Sequence, residues 1–173
     1  MVELKTNDIY LRNVVPEDAH LLFNYLKQKS DNPFSDFKYP FTIDDSIKMF
    51  EKMMLANPQK YYGQIICQSS SQLPTGFISL RIDSKNKNAE IGLWIALPFR
   101  NKGYGQSAVK LITDFGFNNL NLNLIYCNID SDNLKSINLF KKCGYIKEVE
   151  LKERHLVDGQ FKDSIIFTKF NRN

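Results

Sequence analysis

Apolar side chains recur along this chain at two spacings, every third or fourth residue and every second residue, and each switch marks an element boundary. Residues 9–14 alternate and read as a first strand. Pro16, followed by Glu17 and Asp18, marks a helix start, and Ala19, Leu22, Phe23 and Leu26 then fall at helical spacing. A second helix is expected from Thr42, whose hydroxyl can cap it, with Ile43, Ile47, Phe50 and Met54 on one face until Asn57 and Pro58. The aromatic-rich segment 30–40 connects the two helices.

Three strands follow, at residues 61–68, 76–82 and 89–95, joined by short polar turns that demand antiparallel pairing. A long helix over 103–120 carries Ala108, Leu111, Ile112 and Phe115 on one face, and a strand over 124–129 comes next. A fourth helix over 132–143 stops at Gly144, and strands near 145–151 and 164–170 close the chain around an Asp158-Gly159 turn. The order is β-α-α-β-β-β-α-β-α-β-β. The strand at 89–95, its helix and the strand at 124–129 form a crossover, so those two strands should be parallel while the others run antiparallel. An α/β (α+β) class follows, with a mixed, mostly antiparallel sheet and helices on both faces.

Composition narrows the picture. With 173 residues and 43% apolar content, the whole chain, 1–173, is expected to form one domain with its own core. A net charge of +4 is too modest for a dedicated nucleic-acid binder yet suits a small anionic ligand. No run of about 18 apolar residues suggests a membrane span, and charges within the first eight residues argue against a secretion signal, so a cytoplasmic location is expected. Cys67, Cys127 and Cys143 lie on apolar stretches without metal-ligand spacing to His20 or His155, so they read as reduced core residues and no metal site is expected.

Chemistry concentrates at the start of the crossover helix. Arg100, Asn101, Lys102, Gly103, Tyr104, Gly105 and Gln106 combine two cations, two glycines and a helix N-terminus. Unpaired N–H groups of a first helical turn carry partial positive charge, and glycines let a phosphate approach them closely. No Gly-Lys-Ser/Thr closes a P-loop. A dinucleotide fingerprint is formally met by Gly103, Gly105 and Ala108, but seven residues, 96–102, separate it from the preceding strand.

Arg100-x-x-Gly103-x-Gly105, preceded by Ala89-Glu90-Ile91-Gly92-Leu93, resembles the GNAT superfamily of acyl-CoA N-acyltransferases, most closely its ribosomal-protein-type branch, which also holds polyamine and amino-sugar acetyltransferases. Residues 9–16, Asn133-x-x-Ser136, Lys142-Cys143-Gly144-Tyr145 and Asp158-Gly159-Gln160-Phe161-x-Asp163 extend the resemblance over nearly the whole chain. It implies that acetyl-CoA, the co-substrate, lies in a V-shaped gap where the strand at 89–96 splays from its parallel neighbour. Leu93, Trp94 and Ile95 would then offer backbone groups to the pantetheine arm. The glycine loop would hold the diphosphate, and Asn133 and Ser136 would add contacts, although helix capping also explains both.

An alkylamine with a pKa of about 10.4 is protonated at neutral pH, so acetyl transfer to it needs a proton acceptor. Glu90 is the candidate base, and an ion pair is its bland alternative. Where the family usually has a tyrosine to protonate the leaving thiolate, this chain has Phe140, with Cys143 and Tyr145 as nearby substitutes. Direct attack in a ternary complex is therefore expected. The acceptor is a small-molecule or peptide amine: a protein N-terminus, a polyamine, an aminoglycoside or an amino-sugar. Asp31, Asp36, Glu153 and Asp158 could draw a cation, while Arg81, Arg154 and His155 could hold a nucleotide-linked sugar. A catalytically silent acyl-CoA-binding module is the rival reading, with a dinucleotide-dependent oxidoreductase behind it. Exposed strand edges leave homodimerisation open.

Overall fold

A computed structural model describes residues 4–35, 37–157 and 159–172. Its strands are β1 (Ile9–Arg12), β2 (Tyr61–Gln68), β3 (Pro74–Asp83), β4 (Asn88–Ile95), β5 (Leu124–Asp130), β6 (Ile146–Val157) and β7 (Gln160–Phe170). Its α-helices are α1 (Glu17–Leu26), α2 (Ile43–Met54), α3 (Tyr104–Asn118) and α4 (Leu134–Lys142). They occur in the expected order. The seven strands lie side by side as β1-β2-β3-β4-β5-β7-β6, every neighbouring pair antiparallel except β4 with β5.

Strand alternation splits the core into two layers. Ala89 and Ile91 of β4 and Ile125, Cys127 and Ile129 of β5 face α3 and α4, packing with Val109, Ile112, Ile137 and Phe140. Trp94 and the β2 residues Ile65 and Cys67 point the other way, onto Leu22 and Leu26 of α1 and Phe50 of α2. Helices thus cover both faces. None of the described helices is long and apolar enough to cross a membrane.

Local chemistry explains the ends of these elements. Thr42 accepts from the Asp45 N–H while the Asp45 carboxylate accepts from the Thr42 N–H, a reciprocal capping box that starts α2. Gly103 (φ +82°) leads into α3, and Gly144 (φ +81°) ends the turn after α4; both lie in the left-handed region. Asp18 is more than a helix-start acid: fully buried, it accepts from both guanidinium nitrogens of Arg12, at 2.8 and 2.6 Å, and from the Val15 N–H at 2.9 Å.

Several bounds differ from the sequence expectation. β1 stops at Arg12 instead of residue 14, because Arg12 turns to Asp18 and the chain enters α1. The segments 30–40 and 96–102 each contain one 3-10 turn, Lys29–Asp31 and Leu97–Phe99. β6 and β7 run well past the expected 151 and back before 164, pairing as far as Val157 and Gln160. Pairing of the backbone overrode the weak apolar alternation there. The expected Asp158 of that turn lies outside the described residues.

Burial pushes the Tyr145 hydroxyl and the Cys127 thiol above their ordinary values of 10.0 and 9.0. The folded chain keeps these protons after the unfolded chain has lost them, so their stabilisation is complete below about pH 9 and is lost as pH rises beyond it. Urea midpoints should therefore fall from about pH 9 upward, and Tyr145→Phe should flatten the decline above about pH 10.

Candidate active site

The one parallel ladder of the sheet is short. Asn88, Ala89 and Glu90 pair with Leu124, Ile125 and Tyr126, and there the pairing of β4 with β5 ends. β4 continues to Ile95 held only by β3, and β5 continues to Asp130 held only by β7. A cavity of about 940 Å³ opens between them, lined by Ile91, Gly92 and Leu93 on one arm and Cys127, Asn128 and Asp130 on the other. Backbone groups on the gap side of 91–95 lack a strand partner, which leaves a polar edge for an extended ligand to complete.

At the open end, residues 96–103 turn into α3. Asn101 (φ +62°) and Gly103 (φ +82°) both adopt left-handed backbone, and Gly103 leads into the helix with no side-chain cap. The first intrahelical bond at that end is from the Ser107 N–H to the Gly103 carbonyl at 3.0 Å, so the N–H groups of Tyr104, Gly105 and Gln106 lie ahead of the helix ladder. Gly105 sits tightly: a methyl group there would lie 2.9 Å from the Leu139 side chain and 3.4 Å from Leu93. Lys102 lies over the Phe99 ring at 5.5 Å. Tyr104 is buried in the core and Gln106 offers its carbonyl to the Cys143 thiol at 3.8 Å.

Arg100 points back toward β4. Its Nε donates to the Ile95 carbonyl at 2.8 Å and its Nη2 to Asn32 Oδ1 at 3.4 Å, so that Ile95 oxygen is already engaged. Burial lowers the Arg100 pKa, with nearby Asp31 opposing the shift. Asn32 was missed in the sequence, where it falls inside the connecting segment 30–40. It is buried, donates to the Tyr25, Leu26 and Gln28 carbonyls, and accepts from Trp94 Nε1 at 2.7 Å. Trp94 stacks on Phe77, 5.2 Å between ring centres.

Glu90 stands where the gap begins, on the α1/α2 face, with Arg81 Nη2 3.1 Å from its Oε1. Asn133 and Ser136 line the cavity, and the Asn133 side-chain oxygen also caps α4 by accepting from the Ser136 N–H at 3.2 Å. Phe140 lines the cavity as well and meets Tyr145 edge-on at 5.1 Å. Neither substitute acid reaches the gap freely: the Tyr145 and Thr113 hydroxyls share a hydrogen bond of 2.7 Å, and Cys143 is buried with its thiol pKa raised by burial. A second pair unmarked in the sequence is His155 Nε2 with Asp130 Oδ1, 2.7 Å apart, brought together by the β5-β7-β6 pairing. Of the residues considered for the acceptor, Arg81, Arg154 and His155 line the cavity; Asp31 and Glu153 do not, and Asp36 and Asp158 lie outside the described residues.

Residues 8–146 match the Acetyltransferase (GNAT) domain. The chain belongs to the GNAT acetyltransferase family. Across 178 aligned residues it is 28% identical to the N-acetyltransferase p20 of Bacillus licheniformis, covering 99% of this chain and 98% of that one. It is 33% identical to spermidine N(1)-acetyltransferase of Escherichia coli K12 over 91 residues, 52% of this chain and 49% of the relative. The microcin C7 self-immunity acetyltransferase MccE, solved with acetyl-CoA and AMP, superposes with a TM-score of 0.84 at 26% identity, over 96% of this chain and 94% of that one. This GNAT protein is an acetyl-CoA-dependent N-acetyltransferase, and its splayed β4 and β5 agree with the gap that the sequence resemblance implied.

Asn32 ties the α1–α2 connection to β4 and to the loop before α3. Asn32→Leu should leave the Trp94 indole N–H and several carbonyls unpaired, each costing about 1–3 kcal/mol. Trp94 is the only tryptophan, so a lower urea midpoint and a red-shifted emission, read on one sample, check this.

Proposed function

We propose that acetyl-CoA threads the gap between β4 and β5, and that a primary amine reaches its thioester from the α1/α2 face and attacks directly in a ternary complex. The observation that carries this is the end of β4–β5 pairing at Glu90 and Tyr126, which leaves a ready edge for the amides of the pantetheine arm. Leu93 and the Ile95 N–H supply that edge, while the Trp94 backbone is turned to β3 and the Ile95 carbonyl is held by Arg100. The N–H groups of Tyr104, Gly105 and Gln106, with the turn Asn101-Lys102-Gly103 before them, receive the diphosphate. Arg100 serves the same seat by bracing the loop against the end of β4 with a half-buried charge. Asn133 and Ser136 border the arm from α4.

Glu90 accepts the proton of the incoming ammonium, directly or through one water, and passes it to solvent. The neutral nitrogen then bonds to the thioester carbonyl carbon, whose oxygen takes the charge and is met by a backbone N–H of the unpaired β4 edge. Collapse breaks the C–S bond; the nitrogen gives up its second proton and the thiolate gains one. Arg81 orients the Glu90 carboxylate before each turnover. A thiolate whose conjugate acid has a pKa of about 8.5 leaves without a dedicated acid, which suits the phenyl ring at Phe140. The acyl group never rests on the protein. The three free, buried cysteines fit a reducing cytoplasmic setting.

Thiol release from acetyl-CoA across a panel of amines tests the reading. Glu90→Gln should lower kcat by about 10²–10⁴-fold on the responsive amine, while acetyl-CoA affinity by calorimetry stays within a few-fold. An unchanged kcat would remove Glu90 from the reaction, and a burst of acetylated Cys143 would replace direct attack.

A further inference from the structure

The charged residues lining the cavity stand on one face of the sheet. Ala89, Ile91, Cys127 and Ile129 belong to the core layer under α3 and α4, so Glu90 and Asp130, their immediate neighbours along β4 and β5, project to the opposite side. Arg81 joins Glu90 there and His155 joins Asp130, while Lys29 and Lys38 enter from the α1–α2 connection and Arg154 from β6. The diphosphate seat at the start of α3 belongs to the other layer. These cations are therefore not needed for the phosphates of the cofactor, a point that rests on the reading above.

Among the described residues, the cavity has two carboxylates, and each is already met by a cation of the same wall: Glu90 by Arg81 at 3.1 Å and Asp130 by His155 at 2.7 Å. A polyamine would have to displace those cations or lie beside them. Lys38 and Arg154, in contrast, are exposed and face the cavity from two elements, and no carboxylate lies within ion-pair distance of either among the described residues. Phe34 (47% exposed) and Leu156 (61% exposed) add apolar surface to the same cavity lining.

We infer that the acceptor of this enzyme is a small primary amine that carries an anionic group, phosphate or carboxylate, seated between Lys38 and Arg154 while its amine points to Glu90. The apolar body of such a molecule rests on Phe34 and Leu156. Opposite charge draws it into a concave, partly desolvated mouth, where the attraction exceeds that on open surface, and the same field turns a polycation away.

Four probes compared by thiol release test this: glucosamine 6-phosphate for the phosphate arm, glutamyl-phenylalanine for the carboxylate arm, spermidine, and benzylamine, which has no charge beyond its amine. At low salt the better anionic amine should exceed spermidine in kcat/KM by about tenfold or more, and raising ionic strength from about 0.05 to about 0.5 M should narrow that ratio. Arg154→Glu and, on the facing wall, Lys38→Glu should each shift the anion-to-spermidine ratio toward spermidine by about tenfold, with KM carrying most of the change. Acetyl-CoA affinity by calorimetry checks that each variant is folded. Preference for spermidine or benzylamine, or a ratio unmoved in both variants, overturns the anion seat and leaves acetyl transfer intact. Thiol release with none of the four, where other amines respond, also overturns it; silence on every amine overturns the transferase reading with it.

Discussion

The fold turns on two parallel strands that part after three residue pairs. Between the other neighbouring strands of the sheet, backbone groups pair across the ladder, since an unpaired polar group in a dry interior costs as much as a lost hydrogen bond. β4 and β5 forgo that pairing over the C-terminal half of each. What keeps them from closing on each other is that each is committed elsewhere: β4 to β3 along its whole length, β5 to β7 along its whole length. The helices reinforce the division. The first turn of α3 presses on Leu93 and Ile95 of β4 and on Leu139 of α4, so tightly at Gly105 that a single added methyl would displace a neighbour. The gap is thus a place where two rigid arms meet at an angle, ready before any ligand arrives, and little ordering remains for a ligand to bring about.

Asn32 joins the two faces of this gap. Its amide nitrogen serves three carbonyls around the end of α1, and its oxygen serves the Trp94 indole and the Arg100 guanidinium. The same side chain therefore bears on the α1–α2 connection, on β4, and on the loop before α3. A shift in any one of the three changes the hydrogen bonds of the others, since a buried carboxamide has no water to fall back on. The α1–α2 connection and the loop before α3, on the proposed reading the acceptor and cofactor sides, are held in one register by this one residue.

The element order, the crossover, the two-faced sheet and the glycine loop were legible in the sequence because each leaves a local mark: alternation, helical spacing, or a turn residue with positive φ. The splay itself was not legible from pattern, since Ile91 to Ile95 form a continuous apolar run as any buried strand would; only resemblance to the family pointed to it. Asn32 was missed because its partners lie 62 and 68 residues away at Trp94 and Arg100. Asp130 and His155 were missed as a pair for the same reason, brought together across β7 by an antiparallel register that no local window contains. The β6–β7 hairpin outran its expected length because backbone pairing, not side-chain burial, sustains it: nine of the twelve residues of β6 are exposed and none is buried.

Phe140 shows which half of the proton problem this chain solves with a side chain. An ammonium of pKa about 10.4 has to lose its proton before it has a lone pair to offer, a penalty of roughly 4–5 kcal/mol at neutral pH that falls before the bond-making step. The leaving thiol has a pKa of about 8.5, so its thiolate departs at a penalty of roughly 2 kcal/mol and can collect a proton afterwards. A base helps the larger barrier and an acid the smaller one. With the Tyr145 hydroxyl turned to Thr113 and a phenyl ring at the gap, the chain retains packing where a phenol would stand, and in the proposed reaction a carboxylate, Glu90, stands where the larger barrier lies. In that reaction the drier wall at Phe140 would also strengthen each backbone N–H aimed at the developing oxyanion, so an apolar residue at that position is compatible with catalysis by positioning.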